Sequence, residues 1–144
     1  MPALLRHARS VYGVAMRAAL EAAGYDDVPA NGLYVIGGLA LDEDGVPLAE
    51  LIRQLRVSKQ AAGQLVDTLV ARGYLERVAD ARDRRRLTVL LTERGRAAAK
   101  VQRAARSGID ARLLARVGPR ALRLTRDTLG ALIEMNPWPG PADG

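Results

Sequence analysis

Cysteine is absent from the 144 residues, and His7 is the only histidine. The lack of cysteine excludes disulfides, zinc–thiolate sites, thiol nucleophiles and thiol-based redox sensing. A single histidine cannot build a histidine-rich metal site, and no second one is left to orient a nucleophile. A phosphate-binding glycine loop is not evident either. We therefore expect a protein that is not an enzyme and that has neither a cofactor nor a metal site.

Long hydrophobic runs are missing as well. No apolar stretch approaches the roughly 18–20 residues that a membrane-spanning helix needs. The first residues, MPALLRHARS, lack the apolar core and cleavage site of a signal peptide. Hydrophobic residues nevertheless make up 49% of the chain and charged residues 26%, which is typical of a soluble globular domain. We expect a single cytoplasmic domain with no membrane partner.

Positive charge is abundant and unevenly distributed. The formal net charge is +6, and all 22 basic residues except Lys59 and Lys100 are arginine. Residues 1–50 have a net charge of −4, whereas residues 72–106 have a net charge of +7. Such a concentration indicates one oriented surface for a polyanion such as nucleic acid. The alternative, from charge alone, is a solvated arginine-rich face.

Hydrophobic periodicity predicts helices in the first half of the chain. Apolar residues at spacings of three and four predict a helix over residues 4–23, and an apolar segment predicts another from Pro29 to Leu41. A short helix follows Pro47, and a further helix begins after Ser58, which is a good N-cap. Gly73 is a suitable residue to end it. Two short helices joined by about three residues are typical of a helix-turn-helix.

The second half begins with a predicted β-hairpin. Two β-prone runs, YLERVA and RLTVLLT, flank the segment DARDRR, which is therefore the hairpin tip. Thr92 caps a long helix that Gly118-Pro119 interrupts, and a Pro- and Gly-rich tail over residues 137–144 is expected to be flexible. This order predicts a mainly α fold with a small β-hairpin wing, that is, a winged helix-turn-helix.

The predicted helix after Ser58 has a polar side suited to reading bases. Gln60 and Gln64 are one turn apart and point the same way. Glutamine can bond two atoms of an adenine edge, and Lys59 can reach guanine or a phosphate. Ser58 can bind a phosphate in addition to capping the helix. The alternative is an ordinary amphipathic helix whose polar side is solvated.

The predicted wing tip concentrates fixed positive charge. Its arginines, which we expect to contact phosphates and the minor groove, are Arg82, Arg84, Arg85 and Arg86. Asp67 on the DNA-facing helix would repel phosphate and needs a cationic partner. Arg85 or Arg82 is the expected partner, and a pair with Arg72 or exposure to solvent is the alternative.

Residues 65–95 resemble the MarR family of bacterial winged-helix regulators. The family's wing pattern, Asp-x-Arg-Asp-x-Arg before an apolar strand and Leu-Thr-x-x-Gly, is present as Asp80, Arg82, Asp83, Arg85, Leu91, Thr92 and Gly95. The resemblance implies a homodimer whose recognition helices enter successive major grooves of a pseudo-palindrome. It also implies that Arg85 contacts DNA from the wing and that Asp67 pairs with it. Asp83 is expected to help to anchor the wing.

The resemblance also implies a division within one domain over residues 1–136. The first and last helices interlock in such dimers, so residues 4–41 and 96–136 are expected to serve mainly for dimerisation. Residues 46–95 are expected to form the DNA-binding lobe. The predicted function is a sequence-specific transcriptional regulator that acts as a repressor on double-stranded DNA, although activation remains open. The alternative is a winged-helix interaction module that docks on an acidic protein partner.

Many members of the family are repressors that phenolic or aromatic-acid ligands release from DNA. The ligands bind between the dimerisation helices and the DNA-binding lobe. The residues that could line such a pocket here are His7, Arg9, Tyr12, Met16 and Tyr34. The alternative is that these residues pack the dimer or lie at the surface. Because phenylalanine is absent and only four tyrosines and one tryptophan are present, an aromatic pocket would be sparse.

Overall fold

A computed structural model describes residues 1–135 of the chain. It contains five helices and three strands in the order α1 Pro2–Ala22, α2 Gly32–Leu39, β1 Val46–Pro47, α3 Leu48–Gln54, α4 Lys59–Ala71, β2 Leu75–Ala79, β3 Leu87–Leu91 and α5 Glu93–Glu134. The predicted winged helix-turn-helix is confirmed. The tail predicted to be flexible, residues 137–144, lies outside the described residues.

The helix-turn-helix consists of α3 and α4. The side-chain oxygen of Ser58 accepts a hydrogen bond of 3.1 Å from the backbone N–H of Ala61, which confirms the predicted N-cap. Gly73 follows the end of α4 with a φ of 81°, as predicted for a residue in that position. The turn between the two helices contains Arg56, which adopts a φ of 52° and thus lies in the left-handed region that favours glycine.

The wing is an antiparallel sheet with the strand order β1-β3-β2. Strands β2 and β3 pair from Leu75 opposite Leu91 to Ala79 opposite Leu87, and a 2.9 Å backbone hydrogen bond from Asp80 to Arg86 closes the tip. The sequence did not predict β1, in which Val46 pairs with Val89. A two-residue strand is too short to produce the alternation of polar and apolar residues by which strands are recognised.

The core lies between α1, α2, α4, the sheet and the first part of α5. Fully buried side chains include Leu20, Ile36, Leu69 and Tyr74. Helix α2 is shorter than the predicted helix from Pro29 to Leu41. A 2.8 Å hydrogen bond from the N–H of Gly32 to the carbonyl of Pro29 makes a turn at its start, so the chain enters the helix only at Gly32.

The start of α5 packs tightly against the start of β2. The N–H of Thr92 donates a 3.0 Å hydrogen bond to the carbonyl of Tyr74, and the Thr92 side chain caps the helix by accepting from the N–H of Gly95 at 3.1 Å. A Cβ atom at Gly95 would lie only 2.1 Å from the Tyr74 carbonyl oxygen. The glycine of the Leu-Thr-x-x-Gly pattern is therefore required by this close approach.

Helix α5 breaks where the sequence predicts it to break. Gly118 has a non-helical φ of 80° and ψ of 164°, and Pro119 follows it. Large apolar side chains remain exposed on α5 before and after this break and also on α1. They are Leu4, Val11, Val14, Leu113, Leu114, Val117, Leu124, Leu132 and Ile133. Among the described residues, none of the helices is both long and apolar enough to cross a membrane.

Candidate nucleic-acid interface

The polar side of α4 is free to contact a ligand. Lys59, Gln60 and Gln64 are exposed, whereas Ala62, Val66 and Leu69 on the opposite side are buried in the core. Within residues 1–135, the side chains of the three polar residues make no hydrogen bond or ion pair. The structure thus brings Lys59, Gln60 and Gln64 together at the N-terminal half of one exposed helix face, as the sequence predicts.

Two aspartates organise the backbone of the wing tip. The carboxylate of Asp80 accepts a 2.8 Å hydrogen bond from the backbone N–H of Arg82. The carboxylate of Asp83 accepts a 3.0 Å hydrogen bond from the N–H of Arg85 and lies 3.8 Å from the guanidinium of Arg86. Such bonds from an aspartate to the backbone two residues on are typical of tight turns. Asp80 was not among the predicted site residues, although it belongs to the wing pattern.

The tip arginines present their charge to solvent. Arg82, Arg84, Arg85 and Arg86 are all exposed. Arg86 has the distant Asp83 partner, and the other three make no ion pair within the described part of the chain. Because guanidinium groups are planar donors that match phosphate oxygens, this tip is suited to a polyanionic surface.

The partner predicted for Asp67 was wrong. Asp67 on α4 forms an ion pair and hydrogen bond with Arg77 on β2, and not with Arg82 or Arg85. Arg82 and Arg85 lie in the tip beyond the strand, whereas Arg77 lies in the middle of β2, which packs against α4. Strand alternation was the signal that could have identified Arg77, since it shares a strand face with the buried Leu75.

The predicted ligand residues do not converge on one cavity. Tyr34 borders an open cleft of about 440 Å³ along α1 and α2, whose wall also includes Val14, Arg17 and Leu33. Tyr34 also borders a smaller cavity of about 190 Å³ that is lined by residues of α2, α3 and β1. Arg9 touches Tyr34 by a 2.8 Å hydrogen bond to the hydroxyl, and its guanidinium lies 4.2 Å from the ring centroid.

The remaining three candidates lie elsewhere. The hydroxyl of Tyr12 donates a 2.6 Å hydrogen bond to the carboxylate of Asp110 on α5, which, with burial, raises the pKa of Tyr12. Met16 is buried, with 5% of its surface exposed, and His7 is exposed. Neither of the two cavities is lined by His7, Tyr12 or Met16.

The fold and the basic hairpin beside an exposed polar helix define the winged-helix class of nucleic-acid-binding proteins. Comparison with known families gives a match to the MarR family over residues 27–86. The chain is 30% identical to the Mycobacterium tuberculosis MarR family protein Rv2887 in complex with salicylic acid, with 92% of this chain and 95% of that chain covered and a TM-score of 0.62. The chain belongs to the MarR family of transcriptional regulators.

Structures with lower sequence identity share the fold. Streptococcus pneumoniae FabT in complex with DNA is 17% identical, with a TM-score of 0.79 and 93% of both chains covered. CouR from Rhodococcus jostii RHA1 bound to p-coumaroyl-CoA is 21% identical, with a TM-score of 0.67 and coverage of 90% of this chain and 88% of that one. No curated protein sequence matches the chain significantly.

Proposed function

We propose that this protein is a sequence-specific DNA-binding regulator that binds a pseudo-palindromic operator as a homodimer and represses transcription. The observation that carries the proposal is the juxtaposition of an exposed Lys/Gln face on α4 with an arginine tip on a wing that the Asp67–Arg77 pair fastens to the same helix. Repression would be steric, because a dimer on a promoter excludes polymerase without any catalytic step. The protein would therefore act in the cytoplasm, where the DNA is.

The proposed DNA contacts divide into base contacts and phosphate contacts. Gln60 and Gln64 would read base edges in the major groove, and Lys59 would contact guanine or a phosphate. Ser58, at the positive end of α4, would add a phosphate contact through its neighbouring N–H groups. The wing arginines that would lie on phosphates and in the minor groove are Arg82, Arg84, Arg85 and Arg86. Asp67 and Asp83 would hold the wing in place and contact no DNA.

The exposed apolar side chains of α1 and α5 support a homodimer. A monomer rarely leaves a large apolar surface in water, and a second copy related by a twofold axis offers the same surface for self-association. We assign residues 4–41 and 96–136 mainly to dimerisation and residues 46–95 to the DNA-binding lobe. In such a dimer the two copies of α4 would be related by the twofold axis, and this symmetry supports a pseudo-palindromic operator if both copies face the same side.

The cleft along α1 and α2 supports an aromatic-acid effector. Val14, Ala18 and Leu33 give it apolar walls, and Arg17 and Glu21 place a guanidinium and a carboxylate beside them. An aromatic ring could lie against the apolar walls with its carboxylate at Arg17 and away from Glu21. Tyr34, held by Arg9, forms one end of the wall. Release of DNA would follow if the ligand binds the DNA-free arrangement more tightly.

The experiment that tests this function is a titration of the protein against DNA from its own upstream region over a range of salt concentrations. Specific binding that weakens steeply with salt is expected. The logarithm of the binding constant should fall against the logarithm of the salt concentration with a slope of about 0.9 for each neutralised phosphate. Arg85→Ala should weaken binding and lower the slope, whereas Lys100→Ala, an equal loss of charge on the exposed surface of α5, should not. Weak binding without a preferred fragment would contradict the proposal and favour docking on an acidic protein.

A further inference from the structure

A polar cluster joins the segment between α1 and α2 to the winged part of the fold. Its members, which we call the Asp27 clamp, are Asp27, Arg72, Tyr74 and Arg94. Arg72 immediately follows α4, Tyr74 immediately precedes β2, and Arg94 lies in the first turn of α5. The clamp therefore gathers side chains next to the end of α4, next to the start of β2 and in the first turn of α5 around one residue of the α1–α2 connection.

Asp27 is bound through both its side chain and its backbone. Its carboxylate accepts hydrogen bonds from the hydroxyl of Tyr74 and, at 3.1 Å, from the guanidinium of Arg94. Arg94 also donates a 3.0 Å hydrogen bond to the Tyr74 hydroxyl. The backbone carbonyl of Asp27 accepts a hydrogen bond from Arg72. Two directions of approach, one to the carboxylate and one to the carbonyl, thus fix this residue in place.

The strongest contact of the clamp is the buried one. The side chains of Asp27 and Arg94 are 40% and 41% exposed, and an ion pair at such exposure contributes little by itself. Tyr74 is fully buried, so its hydroxyl would lose the carboxylate acceptor of a charge-assisted hydrogen bond if Asp27 moved away. The same hydrogen bond, with the charge of Arg94, holds the pKa of Asp27 below its ordinary value of 3.8, so the carboxylate is ionised at neutral pH.

Aromatic stacking reduces the freedom of Arg94. Its guanidinium lies 4.6 Å from the ring centroid of Tyr74 and 5.4 Å from that of Tyr25, and the two rings meet edge to face at 6.3 Å. Because Tyr25 belongs to the same connection as Asp27, the arginine is enclosed by groups from both sides of the junction. The cation–π contacts therefore tie Arg94 to groups on both sides of the junction.

The other side of the connection is tied to α1. Arg17 donates a 3.3 Å hydrogen bond to the carbonyl of Val28, and Arg17 also lines the cleft along α1 and α2. Val28 itself is buried. Residues 27 and 28 thus connect the cleft on one side with the C-terminal end of α4 on the other.

We propose that Asp27 is a positioning residue that sets the orientation of α4 relative to α1 and α2, and thereby the spacing of the two half-sites that the dimer binds. The proposal rests on the proposed function, because half-site spacing has a meaning only for a dimer on DNA. It assigns Asp27 no contact with DNA. Its consequence is that breaking the clamp loosens the spacing requirement and leaves the phosphate contacts in place.

The first test needs no DNA. The chain has no cysteine, so Ala22→Cys on α1 and Ala61→Cys on α4, both at exposed positions, allow spin labels to be attached at two sites only. Dilution with unlabelled protein restricts the measured distance to pairs within one chain. Asp27→Asn should broaden or shift this distance distribution. The control is Asp26→Asn, which removes the same charge from an exposed neighbour that makes no hydrogen bond or ion pair in residues 1–135.

The second test uses DNA fragments selected from a randomised library, with the half-site spacing then changed by one base pair in either direction. Wild type and Asp26→Asn should lose about tenfold or more in affinity on the altered spacings, whereas Asp27→Asn should lose about threefold or less. The salt dependence of binding should be the same for all three proteins, because no phosphate contact is removed. Tyr74→Phe should have the same effect as Asp27→Asn. If Asp27→Asn does not fold, Tyr74→Phe is used in its place.

Each outcome decides one of the two proposals. An unchanged distance distribution in Asp27→Asn and Tyr74→Phe would overturn the clamp as a positioning device. A changed distribution with wild-type spacing preference would overturn its role in half-site selection. If the distance distribution changes but the wild type binds no DNA fragment preferentially, the clamp is supported as a positioning device and the proposed function is refuted.

Discussion

Asp67 on α4 and Arg77 on β2 form an ion pair that fastens the wing to the helix with the proposed base-reading face. The side chains are 67% and 30% exposed, so the pair should contribute no more than about 1 kcal/mol to the free energy of unfolding. We expect the pair to act by fixing the angle between the wing and α4, because the proposed phosphate contacts at the tip depend on that angle.

Arg77→Gln should therefore weaken DNA binding without greatly changing stability. We expect a loss of several-fold in affinity, since a freely oriented wing must be ordered again on binding. A double-mutant cycle with Asp67→Asn measures the coupling in both affinity and unfolding. Additive effects on affinity would show that the pair does not orient the wing.

Gln64→Ala should relax base preference at one position of each half-site. A glutamine that bonds an adenine edge contributes about 1–3 kcal/mol of discrimination against the wrong base. Affinities for a set of single-base operator variants measure this, and Gln60→Ala should affect a neighbouring position. An unaltered preference at every position would remove Gln64 from the base-reading residues.

Arg56→Gly should stabilise the protein. Arg56 has a φ of 52°, a left-handed conformation that is strained for arginine but not for glycine. The substitution should therefore raise the free energy of unfolding by about 1 kcal/mol. The matched control is Arg53→Gly, in helix α3, which should lose about 1 kcal/mol because glycine is a poor helix former. Urea midpoints of both variants provide the measurement, and equal destabilisation of both would contradict the strain at Arg56.

Tyr74 should make stability fall at alkaline pH. Burial, with the hydrogen bond to Asp27, raises the pKa of Tyr74 from 10.0 to about 12. The unfolded chain releases this proton near pH 10 while the folded chain keeps it, so rising pH favours unfolding between about pH 10 and 12. Over this window the free energy of unfolding of the wild type should fall with pH more steeply than that of Tyr74→Phe. The difference in slope should reach up to about 1.4 kcal/mol per pH unit. Parallel stability curves for the two proteins would contradict the prediction.

Leu114→Asp should separate the proposed dimer. Leu114 is 43% exposed on α5, so a charge there costs little in a monomer but would be buried without a partner in a dimer. We expect a folded monomer by light scattering with greatly reduced DNA affinity. Arg112→Asp, at an exposed polar position, serves as the control for a negative charge on α5. A Leu114→Asp dimer would exclude this surface from the interface.

Local signals in the sequence predict the elements of this fold well. The N-cap at Ser58, the hairpin around the arginine tip and the break at Gly118 each depend on a few neighbouring residues. The exposed Lys/Gln face of α4 follows from helical periodicity alone. These features could be predicted because each is determined by residues that are close together in the sequence.

Contacts between distant residues could not be predicted in the same way. Asp67 needed a partner, but the choice between Arg77 and the tip arginines depends on how β2 packs against α4. The Asp27 clamp joins residues up to 67 positions apart, and its buried tyrosine looks like any other core residue in the sequence. Strand β1 is defined only by its pairing with β3.

The pairing of β3 on both edges limits how the wing can change in length. An inserted residue within β3 would shift its register against both β1 and β2 and turn the following side chains to the opposite face. An insertion between Asp80 and Arg86 would only lengthen the closing turn. Relatives with longer or shorter wings should therefore differ between these two positions, with the strands themselves unchanged in length.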